Sequence, residues 1–276
     1  MDSERERPCD EFGVPLRAEQ MGRHRLALAG RFTQILAFAF GGTLMLQGCD
    51  GTVYPPYRYK ETVVVETPEG IRTGSSVIEV RMVKRAFGHE ISVLPGEFKG
   101  QAVVVDLPGD RKMFALLTSK TDRAWALKAY QYLIPQQPFD GDLSLEKSPE
   151  YRQYQLAMAL KGPQVVSRDR KVVGGIGTES GYPTMVRFRN INDTATVEEV
   201  DPDNLSKSFG AGYRFKSVIL EKTDEPVSEG LDKQMRWMGQ SPEPPLNYPT
   251  NPYDRRFAVS LSRGDFSTYG RFFRGS

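Results

Sequence analysis

A histidine and a carboxylate are neighbours at only one place in this sequence, His89 and Glu90. An imidazole titrates near neutral pH and is the usual general base of hydrolases. Adjacent residues of a strand point to opposite faces, so His89 would need a remote carboxylate such as Asp106. It would also need a nucleophile such as Ser75 or Ser76, and neither serine lies in the G-x-S-x-G pattern of a nucleophile elbow. We therefore expect His89 to be a structural or surface residue.

The two cysteines and two histidines restrict the other reactions that the chain can support. Cys9 and His24 precede Cys49, which leaves His89 as the single histidine of residues 49–276. Those residues therefore cannot form a disulfide within one chain or a zinc site from several histidines and cysteines, and a haem with two axial histidines is excluded as well. We expect no catalytic residue, no metal and no cofactor.

A basic segment and a short apolar run precede Cys49. Arg23, Arg25 and Arg31 are followed by an apolar run from Ile35 to Leu46. Basic residues stay on the cytoplasmic side of a membrane, and an apolar run of this length is typical of a signal-peptide core. The order predicts export. The almost uncharged stretch over residues 32–48 leaves an uncleaved signal anchor as an alternative.

The segment Leu46-Gln47-Gly48-Cys49 resembles the lipobox of bacterial lipoproteins. Leucine three positions before the cysteine and glycine directly before it match the motif, whereas Gln47 departs from the usual small or apolar residue. The resemblance implies lipidation of Cys49: diacylglycerol on the sulfur, cleavage before the cysteine and acylation of the new amine. Asp50 resembles the inner-membrane retention signal of enteric lipoproteins and favours the inner over the outer membrane. An ordinary signal peptide ending near Cys49 is a further alternative.

Composition divides the chain into five segments. Residues 1–20 are polar and precede a second methionine, so we expect a disordered extension or a misplaced translation start. Residues 21–48 are the predicted signal peptide and 49–56 a tether rich in glycine and proline. Residues 57–238 are the predicted folded domain, and 239–276 are a proline-rich C-terminal segment. The net charge of +2 gives no reason to expect nucleic acid as a partner.

Segregated strand and helix patterns predict an α+β domain, with a mainly antiparallel sheet built from hairpins and two or three short helices. Hairpins are predicted at 57–66 with 75–83, around a Thr67-Pro68-Glu69-Gly70 turn, and at 102–107 with 112–117. Helices are predicted over 123–133, capped by Thr121 or Asp122, and over 149–160, capped by Ser148. Further strands are predicted at 165–173, 184–189, 196–200, 213–221 and 257–261, and short helical segments at 201–210 and 227–238.

Several other motifs have simple structural explanations. The glycine-rich segment Gly174 to Gly181 lacks the spacing of a dinucleotide fingerprint and the end of a phosphate loop, so we interpret it as a loop or bulge. The Asx residues of 192–193 and 201–204 could bind calcium, but turns and helix caps account for them. Arg263-Gly264-Asp265 is interpreted as a chance match. Several aromatic residues could form a recognition surface, although core packing is favoured for most: Tyr54, Tyr57, Tyr59, Tyr248, Tyr253, Phe272 and Phe273.

A second resemblance comes from scattered segments of the predicted domain. They are ETPEGIRTGSSVIEV at 66–80, Tyr182-Pro183-Thr184, Asn190-Ile191-Asn192-Asp193, VDPDNL at 200–205 and Phe209-Gly210. Together they resemble an uncharacterised family of exported alphaproteobacterial proteins. That resemblance implies export from a bacterial cell and supplies no site residues.

These observations lead to one functional expectation and one alternative. We expect a lipid-anchored envelope protein, held at the membrane through Cys49 or an uncleaved N-terminal helix, that faces the periplasm as a non-enzymatic binding or assembly module. Its partner would be another envelope protein. The alternative is a periplasmic hydrolase that uses His89 with a remote carboxylate.

Overall fold

A long β-hairpin forms the centre of the fold. The computed structural model describes residues 55–82, 96–135, 137–138, 141, 148–171, 178–239, 257–268, 271 and 273–274. Strand β1 (Tyr57–Thr67) pairs antiparallel with β2 (Gly70–Met82) over its whole length, and the side chains of β1 are alternately buried and half-buried. At the turn, the Thr67 hydroxyl donates to the carbonyl of Gly70, whose positive φ of 113° suits a residue without a Cβ. The predicted first hairpin is confirmed.

The hairpin lies inside a six-stranded sheet, which β3 (Gly96–Lys99), β6 (Gln164–Val165), β11 (Arg214–Lys222) and β12 (Phe273–Arg274) complete. The order is β12-β3-β2-β1-β11-β6, and every pairing is antiparallel. Strands β3 and β12 were not predicted. The predicted strand over 165–173 is instead two short ones, β6 and β7 (Asp169–Lys171), and β7 pairs with β8 (Thr178–Ser180).

A second, four-stranded sheet packs against the first. It has the order β10-β9-β5-β4 and consists of β4 (Val103–Leu107), β5 (Arg111–Ala115), β9 (Met185–Phe188) and β10 (Val197–Glu199). β4 and β5 are the predicted second hairpin. With two mainly antiparallel sheets and four short α-helices among the described residues, the predicted α+β class is confirmed.

The helices are α1 (Trp125–Lys128), α2 (Pro149–Ala159), α3 (Leu205–Phe209) and α4 (Leu231–Gln234). Short 3-10 turns occupy Gln131–Leu133, Thr194–Thr196, Pro202–Asn204, Arg236–Gly239, Phe257–Ser260 and Arg263–Asp265. α2 begins as predicted, since the Ser148 hydroxyl accepts a hydrogen bond from the amide of Tyr151. Among the described residues, no helix combines the length and the apolar character needed to cross a bilayer.

α1 is much shorter than the helix predicted over residues 123–133. The amide of Ala126 donates to the carbonyl of Leu117 at 3.0 Å, and the carbonyl of Ala126 accepts from the Tyr59 hydroxyl at 2.5 Å. Both backbone groups of Ala126 are therefore bonded to other parts of the fold. These contacts favour one short turn followed by a 3-10 turn.

The predicted helix over residues 227–238 is also shorter. The segment before α4 is bonded to β2, because the amide of Ser228 donates to the carbonyl of Val77 at 3.1 Å and the Ser228 hydroxyl accepts from the Val77 amide. Only residues 231–234 are α-helical. Four apolar residues of this segment are buried nonetheless: Leu231, Met235, Trp237 and Met238.

The C-terminal residues form a third layer behind the four-stranded sheet. The inner face of that sheet packs on the six-stranded sheet, whereas its outer face packs with α4 and with Ala258, Leu261 and Phe266. The strand predicted at 257–261 is wrong, because Phe257–Ser260 is a 3-10 turn. Ala258 and Leu261, three residues apart, both face this second core. A five-residue apolar run is too short for its period to separate strand from helix.

The two sheets approach most closely where β2 passes β4. A Cβ placed on Gly74 would lie 1.9 Å from the carbonyl oxygen of Val104. Only glycine permits backbone-to-backbone contact at this distance, so Gly74 fixes how the sheets pack.

Candidate functional site

An open groove of about 710 Å³ runs beside the N-terminal half of β11. Its lining comprises Arg168, Tyr182, residues 202–206 and residues 211–216. The volume lies within the usual range of ligand-binding clefts. We refer to this feature as the β11 groove.

The β11 groove follows the edge of β11, not one of its faces. Consecutive residues of a strand point to opposite faces, yet residues 213–216 all contribute to the lining. On the side away from β1, β11 pairs with β6 only at Ile219 and Leu220. A register shift between the pairs Val64–Ser217 and Val65–Phe215 marks a β-bulge at Lys216. The groove thus begins where β6 ends.

The wall opposite β11 is a 3-10 turn that continues into α3. Asp201 accepts a hydrogen bond from the amide of Asp203 at 3.0 Å, and Asn204 accepts from the amide of Lys207 and from the Ser206 hydroxyl. The Asx residues of 201–204 thus cap short helical turns, as the sequence suggests. In the other predicted Asx segment, Asp193 similarly caps a 3-10 turn through the amide of Ala195.

The loop at the end of the groove is fixed by glycine and by an arginine from the other sheet. Gly212 has a φ of +85°, and a Cβ there would lie 2.9 Å from the ring of Pro68. The Arg111 guanidinium donates to the Tyr213 hydroxyl and to the carbonyl of Phe209, both at 2.6 Å. The groove is therefore held by contacts from both sheets.

The lining carries three cationic side chains and one anionic side chain. Arg168 forms a charge-assisted pair with Asp203, which raises the pKa of the guanidinium. Lys216 lies 3.4 Å from a carboxylate oxygen of Glu66. Arg214 is exposed and has no ion pair or side-chain hydrogen bond within the described part of the chain. The groove therefore has a cationic character suited to an anionic group.

An aromatic pair lies beside these charges. The ring centroids of Tyr182 and Phe215 are 5.0 Å apart, and both side chains are half-buried. Burial raises the pKa of the Tyr182 phenol. The partly exposed rings add an apolar contact surface to an otherwise polar groove.

A second feature lies in the main core, beside the first half of β1. We refer to it as the tyrosine cluster, and it consists of Tyr57, Tyr59, Tyr130 and Tyr154. The ring of Tyr130 lies 6.0 Å from that of Tyr57 and 5.9 Å from that of Tyr59, and Tyr57 also contacts Tyr154. The preference for core packing is confirmed for Tyr57 and Tyr59. Glu61 belongs to the same face of β1 and is 1% exposed.

The Glu61 carboxyl is the most unusual group of this cluster. Its Oε1 atom is buried and has no hydrogen-bond partner. Burial raises the pKa of Glu61 well above its ordinary value, because the charged form would lose its hydration without compensation. Sequence reasoning missed this group. The sequence contained the information needed to find it. Glu61 is separated from Tyr57, Tyr59 and Val63 by even numbers of residues, so in a strand all four side chains point to the same buried face.

Of the residues named for the hydrolase alternative, the structure describes Ser75, Ser76 and Asp106. His89 and Cys49 lie outside the described residues. The Ser76 hydroxyl donates to the carbonyl of Gln101 at 2.7 Å, and Ser75 is exposed. Asp106 is exposed and paired with Lys112. These partners explain the serine and the aspartate without catalysis.

The remaining motifs are structural where they are described. Gly181 donates its amide to the carbonyl of Arg168, and its own carbonyl accepts from the Trp125 indole. Arg263 is buried and donates to the carbonyl of Met238, while Asp265 accepts from the hydroxyls of Thr118 and Ser262. The Arg-Gly-Asp tripeptide is thus part of the packing of the C-terminal layer. Outside the described residues lie 172–177, Tyr54, Tyr248, Tyr253 and Phe272.

The described residues contain no group of three or more His, Cys, Asp or Glu side chains arranged to hold a metal ion. In comparisons with known proteins, no family model, no curated protein and no solved structure matches this chain. No relative therefore supplies site residues, and the β11 groove is the candidate site on its geometry and charge.

Proposed function

We propose that this chain is a lipid-anchored protein of the bacterial envelope, whose α+β domain acts as a binding module in the periplasm. The basic flank, the apolar run and the lipobox-like segment ending at Cys49 support the anchor. The β11 groove supports binding, because it offers cations and aromatic rings in an open cleft. The observation that carries the proposal is the placement of this groove relative to the point where the chain enters the domain.

The groove and the chain entry lie at opposite ends of β1. The six peptide steps from Cys49 to Pro55 span at most about 20 Å, so an acylated Cys49 keeps the Tyr57 end of β1 near the membrane. A strand of 11 residues is about 33 Å long. Arg214 pairs in register with Glu66 at the far end of β1, and Gly212 touches Pro68. The proposal therefore assigns the groove to the end of the domain that faces away from the lipid surface, where a partner can reach it.

Lipid attachment of this kind is sufficient for stable anchoring. Each buried methylene contributes about 0.8 kcal/mol, and two or more acyl chains hold a protein on a bilayer where a single chain binds reversibly. Modification of the sulfur and of the new amine of Cys49 meets that requirement.

Replacing the proposed lipid site tests the anchor. We expect Cys49→Ser to leave the precursor uncut and to abolish labelling by radioactive fatty acid, because the hydroxyl cannot take the place of the thiol. Cys9→Ser is the matched control and should be processed and labelled normally. Intact mass and membrane fractionation of the native chain report the cut site and the acyl chains. Processing of Cys49→Ser to the same mature size, or retention of label, would contradict the proposal.

A further inference from the structure

We infer that the β11 groove binds an extended acidic peptide segment, which adds to the six-stranded sheet as a strand beside the N-terminal half of β11. This inference deepens the proposed function and rests on it, because it names the class of partner that the binding module takes. The partner is a protein segment with carboxylate side chains in an extended conformation.

The first argument is the incomplete pairing of β11. This strand has nine residues, whereas its neighbour β6 has two. Among the described residues, the last backbone hydrogen bond on that side is donated by the amide of Val166 to the carbonyl of Val218, at 2.9 Å. Beyond it, residues 213–216 line an open groove. An exposed strand edge presents backbone donors and acceptors, and an extended peptide is the ligand that satisfies them in series.

The second argument is charge. Arg214 is exposed and unpaired within the described residues, and Lys216 has one contact of 3.4 Å to Glu66. The only anionic side chain of the lining, Asp203, is already bonded to Arg168. A planar guanidinium takes carboxylates in a two-point geometry. The groove thus selects acidic side chains from an extended peptide.

The third argument is the position of the aromatic pair. Tyr182 and Phe215 are half-buried and pack against the main core, so their exposed edges form a fixed apolar surface beside the strand edge. In strand addition, backbone hydrogen bonds provide affinity and side-chain contacts provide specificity. Alternating acidic and apolar residues place carboxylates on one side and apolar groups on the other.

The test uses the purified full-length chain in detergent micelles and an acetylated heptapeptide of alternating glutamate and valine. Binding is followed by NMR chemical-shift titration. We expect shifts at residues 213–216 and weaker binding of the peptide in which lysine replaces glutamate. The two alternate sets of backbone amides of the acidic peptide are methylated in separate peptides. One of these peptides should lose binding, because only one set of amides can donate to β11.

Variants of the chain sharpen this test. Arg214→Gln should weaken binding of the acidic peptide about two- to fivefold, as expected for one exposed charge pair. Arg214→Glu should reduce or reverse the preference between the acidic and the lysine peptide. Lys161→Gln removes an exposed charge beside β6, outside the groove lining, and should leave binding unchanged.

Four outcomes would overturn the inference. These are no binding, equal binding of the two peptides, full binding of both methylated peptides, or shifts that lie away from residues 213–216. Tighter binding of an oligogalacturonate than of the acidic peptide would also reject it and assign the groove to acidic saccharides. Because these measurements use purified protein, their failure is separate from failure of the anchor, which Cys49→Ser tests in cells.

Discussion

The two ends of β1 place similar side chains in opposite surroundings. Towards its start, the tyrosine cluster and Glu61 are buried in the main core. At its end, the aromatic pair of Tyr182 and Phe215 lies beside Arg214 in an open groove. Tyrosines and polar groups without a hydrogen-bond partner among the described residues occur in both regions. The two regions differ in their access to water. Glu61 is shielded from water and destabilises the fold when it is charged, whereas Arg214 is exposed and available to bind a ligand.

Asp122 shows that burial alone does not determine whether a carboxylate stabilises or destabilises the fold. Asp122 is half-buried, and burial raises its pKa, but donors from Tyr132, Ala124 and Lys128 outweigh that effect and hold the pKa below its ordinary value. Glu61 has no comparable donor at Oε1. Hydrogen bonds to the charged form therefore distinguish a stabilising carboxylate from a destabilising one.

The largest effect is expected between the two regions, where Gly74 joins the sheets. Gly74→Ala should lower the free energy of unfolding by at least about 3 kcal/mol, because the new methyl group would meet the backbone of Val104 and backbone cannot rotate away. Urea denaturation measures the change. Ser75→Ala, at an exposed neighbour, should stay within about 0.5 kcal/mol. Similar stability of the two variants would show that the sheets do not meet at Gly74.

An intermediate effect is expected from Glu61→Gln. The pKa of Glu61 is higher in the folded state than in the unfolded chain. Between these two pKa values, the folded protein therefore binds more protons than the unfolded chain. Its stability is therefore complete below the ordinary glutamate pKa of about 4.3 and falls as the pH rises towards the folded-state pKa. The glutamine cannot ionise. We expect the variant to be more stable than the wild type by about 1–3 kcal/mol at mildly alkaline pH.

Urea unfolding of both proteins across this pH range isolates the contribution of Glu61. Carboxylates with a lowered pKa, such as Asp122 and Glu79, stabilise the fold more as the pH rises. Their contribution is the same in wild type and variant, so it cancels when the two free energies of unfolding are subtracted. The difference between wild type and variant should therefore grow with pH. A constant difference would show that Glu61 is hydrated or paired and would remove the contrast between the two ends of β1.

The smallest effect on stability is expected in the groove. Arg214→Gln should change the free energy of unfolding by less than about 0.5 kcal/mol, because the side chain is exposed and unpaired among the described residues. Hydrogen exchange gives a finer comparison. Of the amides that point away from β1, those of residues 214–216 should exchange faster than that of Leu220, which lies next to β6. Equal protection would mean that the edge is already covered.

The predictions from the sequence are correct where neighbouring residues alone determine the local structure. The Thr67-Pro68-Glu69-Gly70 turn, the alternation of β1 and the Ser148 cap each depend on neighbouring residues, and each is found in the structure. Prediction failed where distant contacts decide. The amide of Ala126 donates to Leu117, and its carbonyl accepts from Tyr59. The amide of Ser228 donates to Val77. The helices in these two places are therefore shorter than predicted.

The candidate site was the least predictable part. Its lining comes from Arg168, Tyr182, residues 202–206 and residues 211–216, which become neighbours only when β11 pairs with β1 and α3 folds back on it. No spacing rule connects these segments. The Arg-Gly-Asp tripeptide shows the converse, since a recognisable local motif is used for internal packing.

By itself, the sequence determined the strand alternation, the turns and caps and the α+β class, because each follows from the chemistry of residues close together in the chain. It also set the composition that excludes a zinc site of several His and Cys ligands from residues 49–276. Only the tertiary structure decided that Glu61 is enclosed. It also decided that, within the described residues, Arg214 has no partner and half of β11 has no strand beside it on the side away from β1. The physical reason is that burial and pairing depend on which distant segments exclude water, and local sequence does not encode that.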